Sequence, residues 1–294
     1  MDIAFVGLGQ MGRPMAINLL KSGARVTVSS ASGKRHAELK TKGARATTDP
    51  AEIARADIVF LSLPGTEEVR ETLFGKRGIA PLMKRPQIVV DTSTIDYSAT
   101  LEIAAALEQR GVGFIDAPVS GMEARAIEGT LTAMCGGKSE TLEAVRPYLA
   151  CVANSILHMG GAGSGQLAKL VNQLLFDINC AALAEVLPMA VKLGIDPEKI
   201  GRIVNSGTGK SYASDFFIPR ILKNHFSDGY PLKHAYKDLV SGAKLGANMG
   251  VPMPVLAAAT ATYQMALLEG HGGLDKGAMI KVYEKLLGVE FRAK

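Results

Sequence analysis

The first twelve residues constrain the fold more than any other part of the chain. A hydrophobic run, Asp2-Ile-Ala-Phe-Val6, leads directly into Gly7-Leu-Gly-Gln-Met-Gly12. A strand that ends in G-x-G-x-x-G and opens a helix is the dinucleotide-binding fingerprint of a βαβ unit. Each glycine has a task in it: Gly7 permits the tight turn, Gly9 lets the backbone approach a pyrophosphate, and Gly12 brings the helix close to the sheet. Leu8, Gln10 and Met11 complete the turn and count with the glycines as cofactor-contacting positions. The helix start then offers unpaired N–H groups and the positive end of its dipole to the phosphates. Apolar residues at Met11, Met15 and Leu19 recur at helical spacing until Gly23. A second strand, Arg25-Val-Thr-Val28, follows within the ~30 residues of such a unit.

A chain of 294 residues is long enough for two hydrophobic cores, and 47% apolar with 21% charged residues suits a globular enzyme. No uninterrupted apolar run reaches the ~18 residues of a membrane span, and the chain opens straight into its first strand. The expectation is therefore a cytoplasmic protein with no membrane partner. Cys135, Cys151 and Cys180 are scattered, mostly in apolar surroundings and without metal-ligand spacing, so buried reduced thiols are expected, with no zinc site. The net charge of +5 is spread along the chain with no basic block, which argues against nucleic acid and for small anionic ligands.

Up to about Met159 short β-rich runs alternate with helical stretches, the pattern of a doubly wound α/β sheet of Rossmann type. Strands are expected over 58–63, 88–91, 112–116, 130–135 and 156–159, and helices over 98–110 and 139–149. After the cluster Gly160-Gly-Ala-Gly-Ser-Gly165 strands vanish and Ala- and Leu-rich helical segments run on. Two domains follow, 1–162 for the dinucleotide and 163–294 all-α for substrate and oligomerisation, the second opening on a long helix over about 166–193. Pro188 should kink that helix or split off its last turn. Further helices are expected over 197–205, 211–224, 233–249, 254–269 and 275–287, and so much Ala and Leu suggests a homo-oligomer.

The residues that follow the glycine cluster include an unusually placed lysine. Lys169 lies in an apolar stretch, Leu167-Ala-Lys-Leu-Val171, where a lysine either snorkels to solvent or is held in a cleft and tuned for proton transfer. Asn172 and Gln173 lie three and four residues on, on the same helical face. The end of the second strand bears on the cofactor, because an acid there would bind the adenine ribose hydroxyls of NAD and repel a 2′-phosphate. The segment Ser29-Ser-Ala-Ser-Gly-Lys-Arg35 has no acid; Ser30, Lys34 and Arg35 offer hydroxyl and cationic groups to a phosphate, which favours NADP over NAD. Lys34 and Arg35 also suit the solvated start of a helix.

Four stretches taken together resemble the β-hydroxyacid dehydrogenase family: Gly7-Leu-Gly-Gln-Met-Gly-Arg-Pro-Met15, Asp116-Ala-Pro-Val-Ser-Gly121, Gly163-Ser-Gly-Gln-Leu-Ala-Lys-Leu-Val-Asn172 and Lys237-Asp-Leu239. The resemblance implies a Rossmann domain, a long connecting helix and an all-α domain. It further implies an NAD(P)-dependent oxidoreductase that interconverts a small 3-hydroxy acid and its semialdehyde, with Lys169 as general acid/base and Asn172 orienting the lysine or the substrate oxygen. Ser120 and the Gly121 N–H would hold the substrate carboxylate, and Lys237 would close over the cofactor. Leu63, Pro64 and Thr94 fall at strand carboxyl ends that match cofactor-contacting places. Two departures stand out: Ser120-Gly121-Met122 where relatives mostly read Ser-Gly-Gly, and Asn172-Gln173 where many read Asn-Asn, so Met122 and Gln173 reshape the substrate side. Ser30-Ala31 likewise stands where NADP-using relatives carry Asn-Arg. An imine reductase shares the fold but generally lacks the lysine, and a non-catalytic dinucleotide-sensing module would have lost it; Lys169 argues against both.

Overall fold

The computed structural model describes residues 1–33, 35–83 and 86–293, which form two compact units, Met1–Lys169 and Leu170–Lys294. The first unit runs β1 (Asp2–Val6), α1 (Gly12–Lys21), β2 (Arg25–Ser29), α2 (His36–Lys40), β3 (Arg45–Ala46), α3 (Pro50–Ile53), β4 (Ile58–Leu61), α4 (Thr66–Phe74), β5 (Ile88–Asp91), α5 (Tyr97–Gln109), β6 (Gly113–Asp116), β7 (Val119–Ser120), α6 (Met122–Glu128), β8 (Leu131–Gly137), α7 (Ser139–Leu149) and β9 (Ala153–Gly160). The sheet order is β3-β2-β1-β4-β5-β6-β8-β7, with β9 beside β8. β3 to β6 are joined in parallel, in the doubly wound Rossmann order with its reversal between β1 and β4. β6 and β7 pair antiparallel with successive parts of β8, Asp116 opposite Gly136 and Ser120 opposite Thr132.

Alternation along the strands builds a core on each face of this sheet. Ile3 and Phe5 of β1, with Ile58 and Phe60 of β4, join Met15 and Leu19 of α1 in one cluster. Ala4, Val6, Val59 and Leu61 point the other way, to Val69 and Leu73 of α4 and Ile103 and Leu107 of α5. Phe5 and Phe60 are register partners, and their rings stack at 5.9 Å.

α8 (Ser164–Lys192) begins in the first unit and continues into the second, which adds α9 (Pro197–Ser206), α10 (Tyr212–Leu222), α11 (Leu232–Met249), α12 (Pro254–Leu268) and α13 (Ile280–Leu287). Pro188 does not split α8, which is assigned as helix through Lys192. The helix expected over 275–287 is a 3-10 turn, Lys276–Met279, followed by α13. The strand expected to reach Leu63 ends at Leu61, α2 begins directly after Arg35, where a helix start was one of the two readings, and the elements α3, α4, α6, β3 and β7 were not individually expected. The cysteines are free, with Cys135 and Cys180 buried and Cys151 only half-buried. α8 is also long and apolar enough to cross a membrane by length and composition, but 44% of its most apolar window is buried within the structure.

The helical core contains a fully buried ion pair. Lys276 and Asp177 are 1% and 0% exposed and bonded to each other, and the Tyr263 hydroxyl donates to the same Asp177 Oδ1 at 3.1 Å. The Lys276 ammonium lies 4.2 Å from the Phe176 ring centroid. Burial pushes the Asp177 carboxyl up to about 6 against the pull of Lys276, and its Oδ2 accepts no hydrogen bond from the described residues. Breaking such a pair leaves a buried charge alone, whereas replacing both partners by apolar groups removes the problem. Lys276→Met is expected to destabilise the protein by about 3 kcal/mol or more, and Asp177→Leu with Lys276→Met to restore most of that loss. Urea unfolding followed by far-ultraviolet circular dichroism checks both, and equal midpoints for the single and double variants would contradict the expectation.

Candidate active site

The glycine turn is closed toward the sheet and open away from it. Gly7 adopts φ +99°, and a side chain on it would run into the Ser62 carbonyl; one on Gly12 would run into the carbonyl of Gly7. A side chain on Gly9 would meet nothing within 4 Å. The Gly7 N–H donates to Ser29 O and the Ser62 N–H to Val6 O, each at 2.9 Å, so the turn is seated on both neighbouring strands. α1 starts at Gly12 with no side-chain cap and no acid in its first turn. A crowded inner wall, a bare outer backbone and an uncapped helix start fit a dinucleotide pyrophosphate. Gln10 Nε2 donates to Glu123 Oε2 at 2.8 Å, tying the turn to α6, and Arg35 Nη1 donates to the carbonyls of Leu8 and Gly9 at 2.8 and 3.1 Å. Ser30, half-buried, follows the last residue of β2, while Lys34 lies outside the described residues.

The start of α8 is fixed by a strand carboxylate. Asp116, the last residue of β6, accepts the Gly163 N–H on Oδ1 at 2.8 Å and the Gln166 N–H on Oδ2 at 2.9 Å. These two donors are the ones a capping box would satisfy locally at a helix N-terminus. Gly165 passes so close that a side chain on it would strike the Met134 carbonyl. Gln166, 2% exposed, then brackets Thr94: its Nε2 donates to Ser93 O at 2.7 Å and its Oε1 accepts the Ile95 N–H at 3.2 Å. Ser93 Oγ accepts the Leu63 N–H at 2.9 Å, and the Ser93 N–H donates to Asp91 Oδ1 at 2.9 Å. The loops carrying Leu63, Pro64 and Thr94 are thereby bound to the helix three residues before Lys169, which is 8% exposed.

Asp91 and Asp116 are register partners on β5 and β6. Burial raises Asp91 to about 7, and the nearby Asp116 charge adds to that shift. Burial also raises Asp116, to about 6, although the Gly163 and Gln166 N–H groups favour its ionised form. Asp91 Oδ2 makes no hydrogen bond with the described residues, in keeping with the burial that raises this carboxyl.

At the end of β7, Ser120 pairs with Thr132 of β8, and Gly121, φ +140°, precedes Met122 at φ +62°. A left-handed backbone in a methionine is strained by about 1 kcal/mol or more. Asn172 and Gln173 belong to the second unit: Asn172 is exposed and donates to Gln173 Oε1 at 3.4 Å, and Gln173 donates to Asp238 Oδ2 at 3.3 Å. Asp238, 5% exposed on α11, follows Lys237 directly. The first unit thus holds the glycine turn, Leu63, Thr94, Ser120 to Met122 and Lys169, and the second holds Asn172, Gln173 and Lys237, with Gln173 bonded to Asp238. Asp116, Gln166, Ser93 and Asp238 escaped the sequence as individual participants. Gln166, a lone amide in an apolar helix start, was the available signal.

Asp116→Asn turns one acceptor into a donor facing an N–H, so a loss of about 1–3 kcal/mol is expected, with faster amide exchange at Gly163 and Gln166. Unchanged exchange there would remove Asp116 from this role. Asp91 and Asp116 both titrate above the unfolded carboxyl, so the native state holds extra protons between about pH 4 and 7. Their stabilising contribution is full below about pH 4 and is lost as pH rises through about 6 and 7. Urea midpoints are expected to rise as pH is lowered from 8 to 6, with a smaller rise in Asp91→Asn.

Residues 2–161 match the family model described as the NAD binding domain of 6-phosphogluconate dehydrogenase, and residues 163–283 the one described as the NAD-binding of NADP-dependent 3-hydroxyisobutyrate dehydrogenase. The chain is 37% identical to 2-(hydroxymethyl)glutarate dehydrogenase of Eubacterium barkeri, over 98% of this chain and 96% of that one. It is 32% identical to 2-hydroxy-3-oxopropionate reductase of Escherichia coli, over 97% of each. Among solved structures, 3-hydroxyisobutyrate dehydrogenase of Mycobacterium tuberculosis with L-serine is similar at TM-score 0.89 and 30% identity, over 96% of this chain and 98% of that one. With a Rossmann sheet, a glycine turn shaped for a dinucleotide and relatives along nearly its whole length, the chain belongs to the β-hydroxyacid dehydrogenase family and is an NAD(P)-dependent oxidoreductase.

Proposed function

We propose that the protein interconverts a small anionic 3-hydroxy acid and its semialdehyde, prefers NADP, and uses Lys169 as its general acid/base. The observation that carries this is a nearly buried lysine three residues beyond Gln166, on a helix whose start Asp116 and Gln166 pin to the strand ends that face a dinucleotide. The nicotinamide, when bound, supplies or accepts the hydride. Lys169, with little water to compete for its proton, gives that proton to the substrate oxygen during reduction and takes it from the hydroxyl during oxidation. Asn172 orients that oxygen or the lysine, and Ser120 Oγ with the Gly121 N–H holds the carboxylate. Lys237 contributes a cation to the cofactor. Residues 1–162 act as the dinucleotide domain and 163–294 as the helical substrate and oligomerisation domain, a division that the matched spans 2–161 and 163–283 support.

The departure at Met122 acts on specificity. Its side chain occupies a position where the backbone conformation favours glycine, and it narrows the substrate side of the Ser120 loop. The protein acts as a cytoplasmic homo-oligomer; Val171, Leu175, Val186 and Met189, all exposed on α8, and Leu193 just after it support self-association through the helical domain.

Oxidation of NADPH and NADH over succinic, tartronic and methylmalonic semialdehydes and glyoxylate tests the assignment. Wild type is expected to turn over at least one of them with better kcat/KM for NADPH, and Lys169→Ala to lose about 10²- to 10⁴-fold in kcat. Undiminished turnover in Lys169→Ala would defeat the proposed mechanism. Met122→Gly is expected to keep kcat while changing the kcat/KM ratio between the smallest and bulkiest of these substrates about tenfold or more.

A further inference from the structure

His36, the first residue of α2, has no part in the account so far. It sits at the carboxyl end of β2, where a Rossmann sheet holds the adenine ribose. The Ser30 N–H donates to His36 Nε2 at 3.1 Å, and Ser30 Oγ lies 3.3 Å from the same nitrogen. Nε2 is therefore the ring acceptor, and the neutral imidazole carries its proton on Nδ1. One ring nitrogen thus engages the two donors that this strand end would offer to a phosphate oxygen.

The charges around the ring favour an anion. Arg35 precedes it, with Nη1 on the carbonyls of Leu8 and Gly9. Glu38 on α2 is paired with Arg13 of α1 at 2.7 Å, which neutralises the acid nearest in sequence. Lys40 completes the charged residues of α2, and Arg45 is the charged residue of the neighbouring β3. Among the described residues of the segment 29–37 no acid stands at the strand end to repel a phosphate.

We propose that His36 and Ser30 together form the 2′-phosphate site of NADP, and that the imidazole trades its acceptor role for a donor role when the phosphate arrives. The phosphate oxygens take the Ser30 N–H and hydroxyl, and the released Nε2 takes one proton from solvent. The resulting imidazolium donates to the phosphate as a charge-assisted hydrogen bond. An imidazole ring accepts through one nitrogen when neutral and donates through both when protonated, so the same residue can serve either state. The assignment rests on the NADP preference proposed above and adds to it a residue, a proton and a pH dependence.

Calorimetric titration of the full chain with NADP⁺ and NAD⁺ tests it without turnover. Measurements at pH 6.5 and 8.5 stay above the phosphate's own second ionisation, near 6. For wild type, NADP⁺ is expected to bind about tenfold more tightly at pH 6.5, with proton uptake seen as a buffer-dependent enthalpy, while NAD⁺ binds equally at both. His36→Asn can still accept the Ser30 N–H but cannot carry charge, so it is expected to bind NADP⁺ about tenfold more weakly at pH 6.5 and to lose the pH dependence. Unchanged NAD⁺ affinity in His36→Asn and His36→Ala shows that the glycine turn remains folded. NADP⁺ affinity that is unchanged or improved in these variants, with NADP⁺ still preferred by wild type, overturns the role of His36 alone. Tighter NAD⁺ than NADP⁺ binding by wild type overturns the cofactor preference, and this site with it.

Discussion

The carboxylate of Asp116 accepts the N–H of Gly163, just before α8, and that of Gln166 in its first turn, and this pair of bonds fixes where a 29-residue helix begins. A helix N-terminus carries orphan donors and partial positive charge, and here a strand end supplies the anion that answers both. The close approach demands glycine at 165 and an amide at Gln166 that reaches back to the neighbouring loop. Burying a carboxylate is unfavourable, as the upward shift of Asp116 shows, and the backbone donors offset that penalty only in part. The residue that gains from this arrangement is Lys169, whose place along the helix follows from where the helix starts.

The groups of the first unit fall at one end of the sheet for a topological reason. Parallel strands all present their carboxyl ends to the same side, and the order reverses between β1 and β4. The glycine turn leaves β1, Ser30 follows β2, Leu63 follows β4, Thr94 follows β5 and Asp116 ends β6. Hydrogen bonds join several of these loops directly: Leu63 to Ser93, Ser93 to Gln166, Gln166 to Asp116. What is scattered over more than a hundred residues of sequence becomes one connected rim.

Much of this was legible beforehand, because it depends on local spacing. The glycine fingerprint, the apolar strands and the long helix after the glycine cluster each follow from periodicity within one segment. Two-residue strands such as β3 and β7 and one-turn helices such as α2 and α3 left no periodic trace, since they exist through their neighbours. Pro188 is tolerated within α8, where helix packing overrides the local preference against it. The pairs that matter most, Asp116 with Gln166 and Lys276 with Asp177, are separated by 50 and 99 residues, beyond the reach of any spacing rule. His36 stayed hidden for another reason: a lone histidine at the start of a short helix acquires meaning only when Ser30 is seen beside it.

The turn that opened the sequence distributes its crowding unevenly. Gly7 and Gly12 are walled in by carbonyl oxygens, whereas Gly9 faces empty space. The three glycines of one motif therefore answer to different selective pressures. Two are guarded by the requirement to fold at all, and would stay fixed in a descendant that had abandoned its chemistry. The third is guarded only by the ligand, so drift at Gly9 would be the earliest sequence record that a descendant of this chain had ceased to bind a dinucleotide.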